Sequence, residues 1–386
     1  NVGTFTSVEQ DAMVYTYYVP NATNNKNYDV YVLADDTIYT PKNSKGLFQG
    51  MTSLTKVDTI NMDVSRTEIM TNMFVSCGNL KTLNVAEWNV GNVTHMNFMF
   101  YGCKSLESLN VSDWNVSNAT NLKALFYDCV KLTELGVAGW NVSQATDMGF
   151  MFFNCNSLTS LNLSGWDVSN VTTFESFMSH SNSKLTSLNL SGWNVAKAEN
   201  MTAMFYGCKA LTSLDLNSWK NVGNVKTMCK MFNSCTSMET LKIGTWNVSG
   251  VTDFSNMFEK CYALKNIDVE NWDVTNAQNM GVMFRRCDAL TSLDLSGWKT
   301  DSLEVTYCMF ELNESLTTIY VGDGWDMSKV TTSENMFNGC TALKGGNNTA
   351  VSGNPIDVTY ARVDTEETPG YLTHISNKPA ESEQNQ

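Results

Sequence analysis

LKTLNVAEWNVGNVTHMNFMFYGC, residues 80–103, is the stretch on which the fold turns. Its apolar positions, Leu80, Leu83, Val85, Trp88, Val90, Val93, Met96, Met99, Phe100 and Cys103, return along the chain at the same offsets. The tryptophans give the period directly. Trp88, Trp114, Trp140, Trp166, Trp193, Trp219, Trp246, Trp272, Trp298 and Trp325 are all ten in the chain, each 26 or 27 residues after the last. A fixed period of roughly 20 to 50 residues marks a solenoid, in which one unit cannot bury its own apolar face and stacked neighbours bury it jointly.

Within the unit, Leu83 and Val85 alternate with Thr82, Asn84 and Ala86, the period-two pattern of a short strand buried on one face. Met96, Met99 and Phe100 recur at spacings of three and four, which predicts a short helical or 3₁₀ turn on the opposite side. The expected fold class is therefore an α/β repeat solenoid: a leucine-rich-repeat-like right-handed coil with a parallel sheet on one face and short helical turns on the other. Residues 1–46 fall outside the repeat and read as a β-rich N-terminal cap, with a hairpin turn at Asp35-Asp36. Residues 47–343 are the solenoid, about eleven repeats; 344–375 are a C-terminal cap with a strand in Ile356 to Val363; 376–386 are a polar tail or linker. Single-residue insertions near Ser183, at Lys220-Asn221 and at Gly322-Asp323-Gly324 fall where loops absorb them.

Composition narrows the function. The chain has 39 acidic and 25 basic residues, a net charge of -14, and no basic stripe to neutralise phosphates, so nucleic acid is not an expected partner. No run approaches the ~18 apolar residues of a membrane span. The sequence opens at Asn1 with neither a Met nor a signal-like segment, and reads as a soluble, trimmed or mature product. Nine of eleven cysteines share one column, Cys77, Cys103, Cys129, Cys155, Cys208, Cys235, Cys261, Cys287 and Cys340, with Ser181 and Asn313 in the same place where the thiol is missing. This is a packing ladder, in which a small residue of modest polarity suffices. Cys229 and Cys308 each stand ten residues after a tryptophan, outside that column and three repeats apart. At about 4.8 Å per stacked strand, three repeats are too far to bridge.

The columns also hold the candidate sites. Immediately after Met-Phe come Tyr101, Tyr127, Phe153 and Tyr206, then Asn233, Glu259 and Arg285, so aromatics occupy only the N-terminal half. Pointing outward, the four aromatics form a ligand-binding stripe able to stack on sugar rings or anchor a protein; pointing inward, they pad the coil. The strand face carries Asn84, Asn110, Asn162, Asn189, Asp215, Asp268 and Asp294, small polar residues that suit either a solvated sheet or close approach by a partner. Asp268 and Asp294, with Glu270 beside them, lie on adjacent strands, a cluster that could bind calcium through carboxylate oxygens; no other cofactor is indicated. As a pair of glycosidase carboxyls they would also need a pocket that tunes them apart. The column Asn89, Asn115, Asn141, Asn194 and Asn247 suggests side-chain ladders between coils. The repeat itself generates sequons such as Asn92-Val-Thr, which says little about glycosylation. His95, His180 and His374 form no metal-like cluster, and no nucleophile with a His partner is apparent.

The unit LNVSDWNVSNAT at 109–120, closed by Met-Phe-x-x-Cys as at 99–103, resembles the BspA-like leucine-rich-repeat surface proteins, in particular the branch with Trp and Met-Phe-x-x-Cys repeats of this length. The resemblance runs from about Leu47 to Leu372 and includes the closing TYARVD at 359–364 and PGYLT at 369–373. The reversed order at Phe177-Met178, together with Cys229 and Cys308, departs from it. It implies a secreted or wall-attached bacterial protein, some of whose relatives bind host matrix proteins or other cells, and it supplies no catalytic residue. The leading expectation is a non-enzymatic cell-surface adhesion or recognition module for a host or neighbouring-cell protein or glycan. The alternatives are a self-assembling subunit or spacer of a surface layer, using tyrosine-rich N-terminal strands, and a polysaccharide-active enzyme at Asp268 and Asp294.

Overall fold

The structure, a computed structural model, describes residues 14–20, 28–34, 37–180, 184–219, 222–244 and 246–379. Eleven consecutive parallel bridges run from Asn43 through Ile69, His95, Asn121 and on to Thr332, so the units stack as one continuous coil. On the strand side the pairing is in register: Ser187, Leu188 and Asn189 lie beside Ser160, Leu161 and Asn162. The molecule is a parallel β-solenoid with a leucine-rich-repeat-like coil.

Each coil bends at Asx turns, in which a side-chain oxygen accepts from the backbone N–H two residues on. In one coil Asn110 accepts from Ser112, Asn115 from Ser117 and Asn121 from Lys123. The asparagines at 89, 115, 141, 194 and 247 are thus spent on their own coils, contrary to the expected ladder. The links between coils come from another column: Asn92, Asn118, Asn170 and Asn276 each donate from Nδ2 to a carbonyl of the preceding coil at 2.7–2.9 Å. Beside them, Thr94, Thr120, Thr146 and Thr172 form an unbroken hydroxyl ladder, each donating to the residue one coil back.

The Met-Phe side is not helical. The N–H groups of Met96, Phe98, Phe100 and Gly102 donate to Asn121, Lys123, Leu125 and Tyr127 in the next coil, while those of Met99, Tyr101 and Cys103 close tight turns on Met96, Phe98 and Phe100. A helix would use every N–H within its own segment. Here alternate groups cross to the neighbour, so the side is a second ladder, and the spacings of three and four arise from consecutive turns. Those turns require left-handed residues: Phe98 at φ 59° and Gly102 at 74°, then Ala124 and Asp128 in the next coil.

The indoles line up inside. Trp114, Trp140 and Trp166 stack at 6.3 Å with planes within 5°, and their Nε1 groups donate to Val85, Val111 and Val137 of the preceding coils at 2.9 Å. Trp88 and Trp219 lack such an acceptor. A parallel file of phenylalanines runs from Phe48 to Phe152, is crossed by Phe177 at 87° to Phe152, and resumes from Phe205 to Phe337. That crossing is the reversed Phe-Met order of the irregular repeat. The nine column cysteines are buried and form no disulfide. Their thiols donate to core carbonyls of the preceding coil, as Cys129 does to Phe100 at 3.3 Å. Asn313 shows what the column requires: its Nδ2 reaches the equivalent carbonyl, Phe284, at 2.8 Å, and its Oδ1 accepts from Cys287 at 2.7 Å. A donor is needed there, beyond small size. Ser181 lies outside the described residues.

At the N-terminal end the parallel ladder reaches back to Ile38–Tyr39, which pair with Met62–Asp63, inside the segment read as cap. Ahead of it Val14–Pro20 and Tyr28–Ala34 form an antiparallel pair with Val14 opposite Ala34; residues 1–13 and Asp35-Asp36 lie outside the described residues, as do the insertions at Ser183 and Lys220-Asn221. The third insertion, Gly322-Asp323-Gly324, follows strand Thr318–Val321 and leaves its register with Ser292–Leu295 intact. At the C-terminal end the closing strand is Thr373–His374 beside Tyr320–Val321, while Val358–Tyr360, within the stretch expected to form it, is a 3₁₀ turn. Tyr371 is fully buried against Phe337, Trp325 turns its Nε1 to Ala361, and Asp364 accepts from the backbone of Asn347, Thr349 and Gly370. Among the described residues no helix is long and apolar enough to cross a membrane.

Candidate functional site

The column after Met-Phe faces outward on the turn side and changes chemistry along the molecule. In the first half it is a ladder of rings: Tyr101 stacks on Tyr127 at 4.4 Å and 12°, and Tyr127 on Phe153 at 4.4 Å and 5°. The rings are half-buried. Phe98 and Phe150, at left-handed positions of the same side, lean on this ladder at 6.0 Å from Tyr101 and Phe153 respectively, and the Lys123 ammonium lies over Phe150. Burial, then the neighbouring Tyr101 and Asp128, push the Tyr127 hydroxyl above its ordinary pKa. The stack therefore offers ring edges, which carry the positive side of the quadrupole, while its internal faces are covered. The expectation of sugar rings stacking on this stripe meets a geometric obstacle, because such stacking needs free faces.

The next position in the column is Ser179, which is buried and carries no ring. Its neighbour His180 fills the break instead, with its ring 5.2 Å from Phe153 and 4.6 Å from Tyr206 but tilted by 59° and 74°. Burial, and then Lys209, depress the pKa of His180. Sequence spacing misses this residue because it stands one position beyond the column.

From Asn233 onward the column is polar and continuously bonded, with Asn233, Glu259 and Glu311 buried and Arg285 and Asn338 half-buried. Asn233 and Asn256 donate to Glu259 Oε2 at 2.8 and 2.9 Å; Lys260 and Arg285 Nη1 reach its Oε1 at 3.1 and 3.3 Å. Arg285 Nε then bonds Glu311 Oε2 at 2.6 Å, and Asn338 donates to Glu311 Oε1 at 3.0 Å. Burial raises both carboxyls. For Glu259 the bonds from Asn256, Lys260 and Asn233 outweigh it, and for Glu311 those from Asn338, Cys308 and Arg285 do, so both lie below the usual range.

Cys229 and Cys308 border this network, and only they of the eleven thiols are partly exposed. They do not share a column: Cys229 stands two residues after bridge residue Thr227, and Cys308 three after bridge residue Val305. The extra residue at Lys220-Asn221 shifts the tryptophan offset of Cys229. Ser255 donates to Cys229 at 3.2 Å. Burial and then the hydrogen bond to Glu311 raise Cys308 to a pKa of about 11.

The strand face carries less chemistry. Asn84, Asn110, Asn162, Asn189, Asp215 and Asp294 are Asx-turn residues whose Oδ1 accepts from their own backbone. Asp215 pairs with Lys242 across adjacent strands at 3.2 Å. Asp294 Oδ2 pairs with Lys378 of the C-terminal segment at 2.7 Å, and Glu270 accepts from Asn271. Among the described residues no three His, Cys, Asp or Glu side chains converge to hold a metal ion, so Asp268, Glu270 and Asp294 are not brought together as a calcium site. Two open concavities flank exposed Ile60, and their linings include neither Asp268 nor Asp294.

A family model described as "Mycoplasma protein of unknown function, DUF285" matches the chain over residues 42–159, 131–241 and 227–349. No curated protein matches it. Among solved structures, a leucine rich cell surface protein from Faecalibacterium prausnitzii A2-165 is similar at 14% identity and a TM-score of 0.27, over 82% of this chain and 96% of that one. The TLR13–ssRNA13 complex is similar at 15% identity and a TM-score of 0.21, over 74% of this chain and 48% of that one. At these scores neither likeness bears on what the ring ladder does.

Proposed function

We propose that this chain, which belongs to the DUF285 family of repeat proteins, is a non-enzymatic recognition module of the cell surface that holds a protein partner against its ring ladder. The observation that carries the reading is the half-exposed stack of Tyr101, Tyr127 and Phe153, presented at one per coil on a rigid spine. Aromatic edges and phenolic hydroxyls at fixed intervals are the kind of anchors that dominate protein interfaces. A glycan would need free ring faces, and those between Tyr101, Tyr127 and Phe153 are occupied by one another. The BspA-like character of the repeat agrees with a surface location.

The test is attachment of the purified chain to cells and to an array of extracellular matrix proteins, beside the variant Tyr101→Ser, Tyr127→Ser, Tyr206→Ser. Binding that is protease-sensitive and at least tenfold weaker in the variant is expected. Equal binding by the variant, or a target destroyed by glycosidases and not by proteases, overturns the reading. Concentration-dependent light scattering abolished by the same substitutions would make the partner a second copy and also overturn it.

A further inference from the structure

We propose that the break in the ring ladder at Ser179 is a slot for one planar aromatic side chain of the protein partner, entered when His180 swings aside. The inference rests on reading the ladder as the contact surface. Phe153 and Tyr206 belong to coils on either side of the one that contributes Ser179; Phe153, stacked on Tyr127 by one face, turns the other toward a column position without a ring, and Tyr206 borders that position from the following coil. Two coil intervals at about 4.8 Å each leave room for one more ring, at the interval of 4.4 Å seen between Tyr127 and Phe153.

His180 occupies this room poorly. It reaches in from the adjacent column, at a left-handed φ of 52° where the flanking coils have Asn154 and Gly207, and it meets Phe153 and Tyr206 at steep angles. His180 stands at the surface as a residue, and an imidazole is well solvated when released. An incoming phenyl or indole lying flat on Phe153 would gain a face contact worth about 0.5–1.5 kcal/mol beyond burial. It would also cover the free ring face of Phe153 and pack against Tyr206.

The experiment is a titration of the full chain, carbon-13 labelled at histidine, with N-acetyl-tryptophanamide, following the three imidazoles His95, His180 and His374. A saturable shift at His180, with His95 and His374 unmoved, is expected. Ser179→Phe completes the ladder and should weaken the titration at least tenfold. His180→Ala removes the plug and should tighten binding, read from the probe's own resonances, at least threefold. No saturable shift at His180, an equal shift at all three imidazoles, or unaltered binding by Ser179→Phe overturns the slot. Should Ser179→Phe not fold, His180→Ala decides alone, and unchanged or weaker binding overturns it. Loss of partner attachment in the tyrosine-to-serine variant with no probe binding at His180 would retire the slot and keep the surface; the opposite pair of results would do the reverse.

Discussion

The Nε of Arg285 lies 2.6 Å from Oε2 of Glu311 in the following coil, while Nη1 of the same guanidinium lies 3.3 Å from Oε1 of Glu259 in the preceding one. One cation therefore serves two buried carboxylates. Removing one partner of a buried pair costs about 3–5 kcal/mol, and about 2 kcal/mol is expected for Arg285→Met because the guanidinium is partly exposed. The pH dependence follows from the carboxyls, whose folded pKa values lie below the ordinary 4.5. Their contribution is present above the unfolded pKa and is lost as pH falls through the folded value. In Arg285→Met the Glu311 carboxyl loses its cation and its pKa rises, so acid relieves the variant while it weakens the parent. Urea unfolding at pH 7 and pH 4 should show the gap between the two narrowing at the lower pH. A gap that is constant, or widens, contradicts the network.

Trp140 is buried between two parallel indoles and donates to Val111, whereas Trp325 is partly exposed, and its Nε1 bonds the C-terminal cap. Trp140→Ala should cost about 3–5 kcal/mol. Because repeats communicate through nearest neighbours, hydrogen exchange should quicken first in the coils on either side of it. Trp325→Ala should cost less than half as much and loosen chiefly residues 356–373. Equal losses in the two variants would mean that the end coil is packed like the middle.

Nine thiols are buried and two are partly exposed. Native alkylation should reach Cys229 and Cys308 alone, and unfolding in urea should release the rest. Cys308, raised to about 11 from 9.0, should react about a hundredfold more slowly than an unperturbed thiol near pH 8, with a rate that climbs through pH 11. Peptide mapping after timed quenching checks both statements. Labelling of Cys129 as fast as Cys229 would place that column at the surface.

Much of this architecture is legible in the sequence because burial repeats. Trp88 to Trp298, the Leu-x-x-Leu-x-Val strands and the cysteine file keep their offsets for a packing reason, and the coil follows from them. The Met-Phe side is not legible in the same way, since spacings of three and four at Met96, Met99 and Phe100 serve equally for a helix and for consecutive turns tied across coils. Polar columns mislead for a related reason: Asn115 and Asn118 look alike in sequence, yet one closes its own turn and the other reaches the coil before. At the candidate site Tyr101, Tyr127, Phe153 and Tyr206 stand out as a stripe, but whether faces or edges are offered depends on side-chain rotation. His180 and the link from Glu259 through Arg285 to Glu311 join adjacent columns or coils and appear only in three dimensions.

Gly139 and Gly297 hold the same place in their repeats, immediately before Trp140 and Trp298, and both are exposed. A Cβ on Gly139 would meet no atom within 4 Å, whereas one on Gly297 would overlap the carbonyl oxygen of Glu270. That oxygen belongs to backbone and cannot rotate away as a side chain would. Gly297→Ala must push adjacent coils apart or bend one of them, and overpacking of this kind costs typically about 1–3 kcal/mol. Gly139→Ala meets no obstacle and has no left-handed φ to lose, so it should stabilise by about 0.4–1 kcal/mol through a less flexible unfolded chain. The two substitutions are chemically identical and occupy one column, so opposite signs in urea midpoints would report the local approach of coils and nothing else. Matching effects would mean that Glu270 and Gly297 are no closer in solution than their counterparts around Gly139.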